Sequence, residues 1–216
     1  MTNVSLLREQ VCFFAGSLFE RGLTAGSSGN ISVRLDDGGL LVTPTGASLG
    51  RLDPARLSRF DASGRLVEGD APTKEMALHA AFYDTRRDKT GAVVHLHSTH
   101  AVAYSMLPDV DPNSLLPPLT AYSIMRLGRV ALLPYFRPGD PAMGEAVRGL
   151  AGRRSALVLA NHGPVVAAKD LEAAVYAIEE LEETARLALL TRGTHPRLLN
   201  EAQIRDVVTT FDVEWD

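Results

Sequence analysis

Two histidines in the segment His95-Leu96-His97 carry the strongest chemical signal in the sequence. They follow the apolar run 92–94, which is typical of a short buried strand. Residues at positions i and i+2 of a strand project from the same face, so both imidazoles should point to one side. Two neutral imidazoles on a rigid strand form half of a metal site, although a His-x-His pair alone is weak evidence for one.

A third histidine lies in the turn Asn161-His162-Gly163-Pro164, directly after the apolar run 156–160. Such a turn exposes its side chains while the preceding strand fixes the backbone, which suits a ligand better than a core position. Three histidine ligands leave coordination positions open for substrate or water, as a catalytic metal requires. Imidazole accepts zinc, cobalt, manganese or iron, so these residue types do not select the metal.

Glu75 is the carboxylate best placed for acid–base chemistry. It follows Pro72-Thr73-Lys74, at the start of a helix predicted over residues 75–84 with Thr73 as its cap. The simple interpretation is a first-turn glutamate favoured by the helix dipole. The same helix start, however, offers a hydroxyl, an ammonium and free backbone N–H groups, which together form an anion site. A carboxylate near such a site and a metal can transfer a proton at a carbon beside a carbonyl.

Two further turns offer backbone amides and hydroxyls to a phosphate: Ser28-Gly29-Asn30 and Thr43-Pro44-Thr45-Gly46. Neither has the Gly-Lys-Ser/Thr ending of the phosphate loop in nucleotide hydrolases, and the sequence has no Gly-x-Gly-x-x-Gly fingerprint. As isolated turns they are weak signals.

The other histidines have simpler interpretations. His79 lies one turn beyond Glu75 on the same predicted helix, where a structural role is favoured, and His100 and His195 are expected to be solvated or to lie behind the ligands. Cys12 lies among apolar residues and is expected to be a buried, inert thiol.

These candidates must be positioned by a mixture of helices and strands. Periodicity predicts a first helix ending near Gly22, and further helices over 75–84, 170–190 and 201–209. Asp170 is expected to cap the helix over 170–190, and the glutamates at 179, 180, 182 and 183 are expected to lie on its solvated side. It predicts strands over 30–34, 40–43, 92–96, 130–133, 156–160 and 164–168. Several strands are close enough to form hairpins, so we expect a central, largely antiparallel sheet between helical layers, an α/β/α arrangement. No linker or repeat interrupts the chain, and a single domain over residues 1–216 is expected.

Composition limits the possible partners. Of the 216 residues, 45% are hydrophobic, and 22 basic against 26 acidic residues give a formal charge of −4. This balance gives no general attraction to nucleic acid or anionic membranes. The N-terminus lacks the basic start and unbroken apolar run of a signal peptide, and no apolar run approaches the ~20 residues of a membrane helix. With a single cysteine, the expectation is a cytoplasmic protein.

Taken together, the order and spacing of these segments resemble the class II aldolase/adducin family. The matching pieces are Gly29-Asn30-Ile31-Ser32, Thr43-Pro44-Thr45-Gly46, Lys74-Glu75, His79, His95-Leu96-His97 and Asn161-His162-Gly163. Within the family the chain is most similar to the 3-oxo-tetronate 4-phosphate decarboxylases. That closer likeness rests on 72–75, 94–99, 134–140, 160–166 and 179–185.

The resemblance implies roles for the candidate residues. His95, His97 and His162 would bind a divalent metal, with zinc expected and cobalt or manganese as alternatives. Glu75 would be the acid–base residue and a further metal ligand when substrate is absent. The family's phosphate-binding positions correspond to Ser28, Gly29, Asn30, Thr45, Gly46, Thr73 and Lys74. Tyr122 is the best match to a tyrosine that family aldolases use as a proton donor.

The resemblance also implies a fold, an assembly and a reaction. These are a class II aldolase-like fold, a homotetramer with sites at subunit interfaces, and a small phosphorylated hydroxy-keto acid or sugar phosphate as substrate. The implied reaction is decarboxylation of a 3-oxo-tetronate 4-phosphate to dihydroxyacetone phosphate through a metal-stabilised enediolate. A fuculose 1-phosphate type aldolase or a pentulose-phosphate 4-epimerase would pass through related chemistry. A non-catalytic protein such as adducin would not need the histidines and Glu75.

Overall fold

The computed structural model of the protein describes residues 4–215 and has one eight-stranded sheet between two helical layers. The strands are β1 (Asn30–Arg34), β2 (Leu40–Val42), β3 (Ser58–Phe60), β4 (Leu66–Glu68), β5 (Ala92–His95), β6 (Ala131–Leu133), β7 (Ala156–Leu159) and β8 (Gly163–Ala168). Their order is β4-β3-β2-β1-β5-β8-β7-β6. Within the described range β6 and β7 pair in parallel and all other neighbours are antiparallel, which confirms the predicted fold class.

Seven α-helices surround this sheet in the described part of the chain, together with short 3-10 helices at Leu49–Arg51, Pro54–Arg56 and Arg87–Lys89. The α-helices are α1 (Val4–Glu20), α2 (Met76–Arg86), α3 (Thr99–Ser105), α4 (Ala121–Leu127), α5 (Ala142–Gly149), α6 (Leu171–Thr191) and α7 (Glu201–Phe211). None of these helices is both long and apolar enough to cross a membrane.

Two apolar cores lie on opposite faces of the sheet. One joins α1 and α6 to strand residues such as Ile31 and Val94. The other joins α2 and α5 to strand residues such as Val93 and Val165. Successive residues of a strand face opposite layers. Consequently His95, two residues after Val93, has its side chain on the α2 side of the sheet.

The three central strands determine the position of the candidate site. β5 lies between β1 and β8, with Asn30 and Val165 as the two register partners of His95. The turn between β7 and β8 carries His162. The ends of these strands therefore meet beside the residues that precede α2.

Several short elements lay outside the sequence prediction. These are β3, β4, α3, α4 and α5, each between three and eight residues long. Elements this short contain too few residues to display a helical or alternating apolar period, and tertiary packing decides their conformation.

Three local predictions need correction. Thr73 does not cap α2, because Glu75 occupies the N-cap position and the Thr73 hydroxyl instead accepts a hydrogen bond from the Glu75 N–H at 3.2 Å. Glu182 does not lie on a solvated face, because its side chain turns in to contact α3. Cys12 is half-buried, and burial raises its pKa to about 11, which keeps the thiol protonated.

Candidate metal centre

The structure brings the three predicted histidines and Glu75 together. His95 is the last residue of β5, His97 follows two residues later, His162 lies in the β7–β8 turn, and Glu75 immediately precedes α2. One ligand atom from each of the four lies within 4.8 Å of each of the others. Residues far apart in the chain thus form one compact cluster of metal-binding atoms.

The ring nitrogens converge on a small volume. Nε2 of His95 and Nε2 of His162 are 3.4 Å apart, and the two rings are nearly perpendicular at 86°. The His97 ring centroid lies 5.0 Å from that of His95 and 4.7 Å from that of His162. The Glu75 carboxylate closes the cluster, with Oε2 at 3.4 Å from His95 Nε2 and Oε1 at 3.3 Å from His162 Nε2.

A backbone contact fixes which His95 nitrogen faces the cluster. Nδ1 of His95 donates to the carbonyl oxygen of Pro164 at 2.9 Å, so in the neutral ring Nε2 carries the lone pair. That lone pair points toward the nitrogen of His162 and the Glu75 carboxylate. Electron-rich atoms at this separation repel unless a cation lies among them, so this donor set fits a divalent metal ion.

Burial keeps the His95 and His97 rings neutral. Burial lowers the pKa of His95 to about 3 even though nearby Glu75 acts in the opposite direction. Burial and the neighbouring His162 ring also lower the pKa of His97. Neutral imidazole is the form that binds metal ions, so both rings are ready to act as ligands near pH 7.

Glu75 is ionised in this arrangement. Burial acts to raise its pKa, but the contacts of the carboxylate with the His162 ring and the Asn30 amide lower it below its ordinary value. The Asn30 side chain donates from Nδ2 to Oε2 of Glu75 at 2.7 Å. The carboxylate is therefore both charged and held in place.

The turn that carries His162 packs directly on the other histidine segment. A Cβ atom on Gly163 would lie 2.1 Å from the carbonyl oxygen of Leu96 and 3.2 Å from the Cα atom of His97. Asn161, with φ of 58°, adopts the left-handed conformation that asparagine tolerates. Its N–H donates to the Ser105 hydroxyl at 3.0 Å, which ties the turn to α3. Glycine is thus required where the two ligand-bearing segments meet.

A contact that the sequence did not predict, made by the Glu182 side chain, holds the segment after His97. Glu182 of α6 accepts hydrogen bonds from the N–H groups of His100 and Ala101, both at 2.9 Å, and contacts His100 Nδ1 at 2.7 Å. It therefore supplies acceptors for the free N–H groups at the start of α3. Glu182 had been predicted to lie with Glu179, Glu180 and Glu183 on the solvated side of α6, so no sequence pattern indicated this contact.

Backbone contacts connect the three predicted phosphate segments. Pro44 pairs with Pro72, and the N–H of Thr73 donates to the carbonyl oxygen of Thr43 at 3.2 Å. Gly29, with φ of 83°, packs against the backbone of His95. The segments 28–30, 43–46 and 71–74 thus adjoin one another beside the histidine cluster.

The individual side chains of these segments differ in exposure. Asn30 and Thr73 are buried, Lys74 is exposed, and the hydroxyl of Ser28 donates to the Ala25 carbonyl within its own turn. Thr45 and Gly46 line a cavity of about 350 Å³. The same cavity is lined by Arg51, a cation that no sequence motif had indicated.

Tyr122 lies apart from the cluster within this chain. Its side chain is 62% exposed. It lines a cavity of about 520 Å³ together with Arg126, Tyr176 and Glu183, and none of the four cluster residues lines that cavity.

Comparisons with known proteins show which family the chain resembles. Residues 9–189 match the Class II Aldolase and Adducin N-terminal domain. The chain is 44% identical over 220 residues to the 3-oxo-tetronate 4-phosphate decarboxylase of Cupriavidus necator, with 100% of both chains covered. It is 34% identical over 194 residues to the L-fuculose phosphate aldolase of Escherichia coli, covering 88% of this chain and 86% of the aldolase.

A solved structure supports the same relationship. The crystal structure of YgbL from Escherichia coli superposes with a TM-score of 0.91 at 43% identity, covering 94% of this chain and 98% of YgbL. The domain match spans most of the sequence, and its relatives are similar along nearly their full length. The chain therefore belongs to the class II aldolase and adducin family.

Proposed function

We propose that the protein is a carboxy-lyase that converts a 3-oxo-tetronate 4-phosphate to dihydroxyacetone phosphate and carbon dioxide. The observation that carries this proposal is the complete Glu75 and three-histidine cluster in a chain 44% identical, from end to end, to a decarboxylase of that name. A binding protein without activity would have no use for four ligand groups with this geometry.

In this proposal His95, His97 and His162 hold one Zn²⁺ ion, and Glu75 is a further ligand in the resting protein. A divalent cation held by these residues would supply Lewis-acid chemistry that stabilises the negative charge left on the substrate by decarboxylation. The hydrogen bond from Nδ1 of His95 to the Pro164 carbonyl orients the His95 ring so that Nε2 faces the cluster.

The bond changes define what Glu75 must do. The bond between the carboxylate carbon and the hydroxyl-bearing carbon breaks, carbon dioxide leaves, and the electron pair stays on the remaining fragment. We assign Glu75 Oε1, the oxygen that Asn30 does not engage, as the atom that delivers a proton to that carbon. Glu75 takes this proton from solvent after the anionic substrate has entered, because added negative charge raises a carboxyl pKa.

Phosphate recognition is assigned to the adjoining segments 28–30, 43–46 and 71–74. Thr45 and Gly46 offer a hydroxyl and an N–H group on the wall of a cavity, and Lys74 supplies an exposed positive charge. Ser28, Gly29, Asn30 and Thr73 complete the set, chiefly by shaping the backbone around the anion. Such amide-rich concave turns bind phosphate without the large basic surface that this acidic chain lacks.

We further propose that the protein assembles as a homotetramer in which Tyr122 acts at the site of a neighbouring subunit. The exposure of Tyr122 supports this assignment, since the side chain is free to contact another chain. Mixing inactive Tyr122→Phe and Glu75→Gln subunits, followed by reassembly, should restore partial activity. Absence of any recovery in verified mixed tetramers would remove Tyr122 from the site.

A substrate comparison tests the reaction itself. Purified protein should release carbon dioxide and dihydroxyacetone phosphate from 3-oxo-tetronate 4-phosphate and leave fuculose 1-phosphate intact. The second candidate, a sugar-phosphate aldolase, is favoured by the 34% identity to the fuculose phosphate aldolase. Cleavage of fuculose 1-phosphate without release of carbon dioxide would replace the first proposal by the second.

A further inference from the structure

A chain of buried hydrogen bonds runs from the candidate acid–base residue into the core beneath α2. Asn30 contacts Oε2 of Glu75 at 2.7 Å, and Asn30 Oδ1 lies 2.5 Å from Nε2 of His79. Nδ1 of His79 lies 2.7 Å from the Ser32 hydroxyl, which in turn lies 2.9 Å from the hydroxyl of Tyr83. All five side chains belong to buried residues. The chain thus links the cluster to two strand residues and two helix residues.

Chemistry fixes the direction of every bond. The ionised Glu75 carboxylate only accepts, so Asn30 donates from Nδ2 and presents Oδ1 to His79. His79 must then carry its proton on Nε2, and burial, which lowers its pKa to about 4, keeps the ring neutral. Its Nδ1 therefore accepts from Ser32, whose oxygen accepts in turn from Tyr83. Every donor points toward Glu75.

The sequence places this chain on one face of β1. Asn30 and Ser32 are two residues apart, so they share the face of the strand that α2 covers. His79 and Tyr83 are four residues apart on α2, so they share the helix face that meets that strand. Each buried polar atom here needs a hydrogen-bond partner, so burying these side chains costs more free energy than burying apolar ones. Packing alone therefore does not explain why polar residues occupy these positions.

We propose that His79 is a positioning residue that acts through Asn30 to hold Oε2 of Glu75, so that Oε1, the oxygen beside His162, stays outside that hydrogen bond. This inference rests on the proposed role of Glu75 and adds the device that orients it. His79 touches neither substrate nor metal in this account. Its effect is to fix the Asn30 amide in the one orientation that donates to the carboxylate.

Two substitutions that differ by one methylene group separate positioning from packing. The amide nitrogen of glutamine in His79→Gln can occupy the place of Nε2 and still donate to Asn30. In His79→Asn the shorter side chain remains beside Ser32 and does not reach Asn30. Ser32→Ala removes the hydroxyl that fixes the His79 tautomer and is the milder change. Thr85→Val is the control, because the Thr85 hydroxyl donates to the Ala81 carbonyl on the same helix and lies outside the chain of bonds described above.

The measurements are kcat, KM, bound metal and melting temperature of each variant loaded with zinc. His79→Asn should lower kcat by about tenfold or more, with KM and zinc content unchanged. His79→Gln should keep at least about half of the wild-type kcat, and Ser32→Ala should lower kcat by about threefold or more. Thr85→Val should match the wild type. This split between kcat and KM, with rescue by glutamine, is not expected from a general loss of stability.

Two results would overturn the inference. Equal loss of kcat in His79→Gln and His79→Asn would mean that the link to Asn30 is irrelevant. Wild-type kcat in Ser32→Ala would mean that the tautomer of His79 does not matter, even if His79→Asn failed to fold. Assaying all variants on both 3-oxo-tetronate 4-phosphate and fuculose 1-phosphate tests the role of His79 separately from the proposed reaction. A wild type active only on the second substrate would reject the proposed reaction, while the glutamine–asparagine split measured there would still decide the role of His79.

Discussion

Asn30 and His95 are direct register partners on the antiparallel strands β1 and β5, and both contact the same oxygen of Glu75. Nδ2 of Asn30 lies 2.7 Å from Oε2, and Nε2 of His95 lies 3.4 Å from it. The strand pairing therefore sets the distance between a hydrogen-bond donor to the carboxylate and a metal-binding nitrogen. A rigid sheet, not a flexible loop, holds these two groups in register.

Replacing Glu75 with glutamine should separate metal binding from turnover. Glu75→Gln should keep about one metal ion per chain, because three imidazoles remain, but should lower kcat by about 10²-fold or more since the amide cannot exchange a proton. Metal analysis and a carbon dioxide release assay measure the two effects. The control is Glu145→Gln, which changes an exposed residue of α5 and should leave both quantities unaltered. Undiminished turnover in Glu75→Gln would remove this residue from the mechanism.

His97→Ala should weaken metal binding most clearly. The substitution removes one of three imidazoles, and loss of a ligand should lower the affinity for zinc by about 10-fold or more. Competition with a chromogenic chelator gives the dissociation constant for wild type and variant. His195→Ala, at an exposed position, is the matched control. Equal zinc affinity in wild type and His97→Ala would exclude His97 as a ligand.

Gly163→Ala tests the contact between the two ligand-bearing segments. The new Cβ would lie 2.1 Å from the Leu96 carbonyl oxygen, so the turn must shift and carry His162 with it. We expect about 2–4 kcal/mol lower free energy of unfolding in denaturant titrations and weaker zinc binding. Gly16→Ala is the control, because a Cβ there meets no neighbouring atom and alanine favours the helix. A Gly163→Ala protein with wild-type stability and zinc affinity would refute the proposed close contact.

The metal-free protein should lose stability in mild acid. Burial lowers the pKa of His79 to about 4 and that of His95 to about 3 from the ordinary 6.5. Below pH 6.5 these histidines are therefore protonated in the unfolded chain before they are protonated in the folded chain. The free energy of unfolding should therefore fall as the pH drops from 6.5 toward 4, with a limiting slope of about 1.4 kcal/mol per pH unit for each histidine. Glu75, whose pKa is lowered, adds to this loss only below pH 4.5.

Urea unfolding of the chelator-treated protein at pH 7, 6 and 5 measures this slope. His79→Gln should reduce the slope, since one titrating group is gone, whereas His195→Gln at an exposed position should leave it unchanged. A stability that does not vary across this range, or a slope unaffected by His79→Gln, would contradict the assignment of neutral buried rings.

The sequence predicted the parts of the site that rest on strong local patterns. The apolar runs before His95 and His162 identified β5 and β7. The alternation rule predicted that His95 and His97 project from one strand face, but β5 ends at His95 and His97 lies beyond it. Family resemblance supplied the pairing of distant segments, which periodicity alone does not give. Asp170 as the N-cap of α6 was also predicted, and its side chain accepts from the N–H of Ala173.

The supporting residues were harder to predict for physical reasons. Asn30 and Ser32 alternate with apolar residues on β1, a pattern that usually means a solvated strand face. Here that face is buried because α2 brings His79 and Tyr83 to satisfy the polar atoms. Burial of this polar strand face depends on the packing of a helix more than forty residues away in the sequence. No local pattern in β1 predicts that packing.

The most direct test of the account is to measure carbon dioxide release and bound zinc together while metal-free protein is reloaded. Decarboxylation of 3-oxo-tetronate 4-phosphate should rise in proportion to bound zinc and reach its maximum at about one ion per chain, as expected for a single three-histidine site. A His162→Ala protein should bind zinc at least about 10-fold more weakly and release correspondingly less carbon dioxide at the same zinc concentration. Full activity in metal-free protein, or zinc bound equally well by His162→Ala, would contradict the central claim.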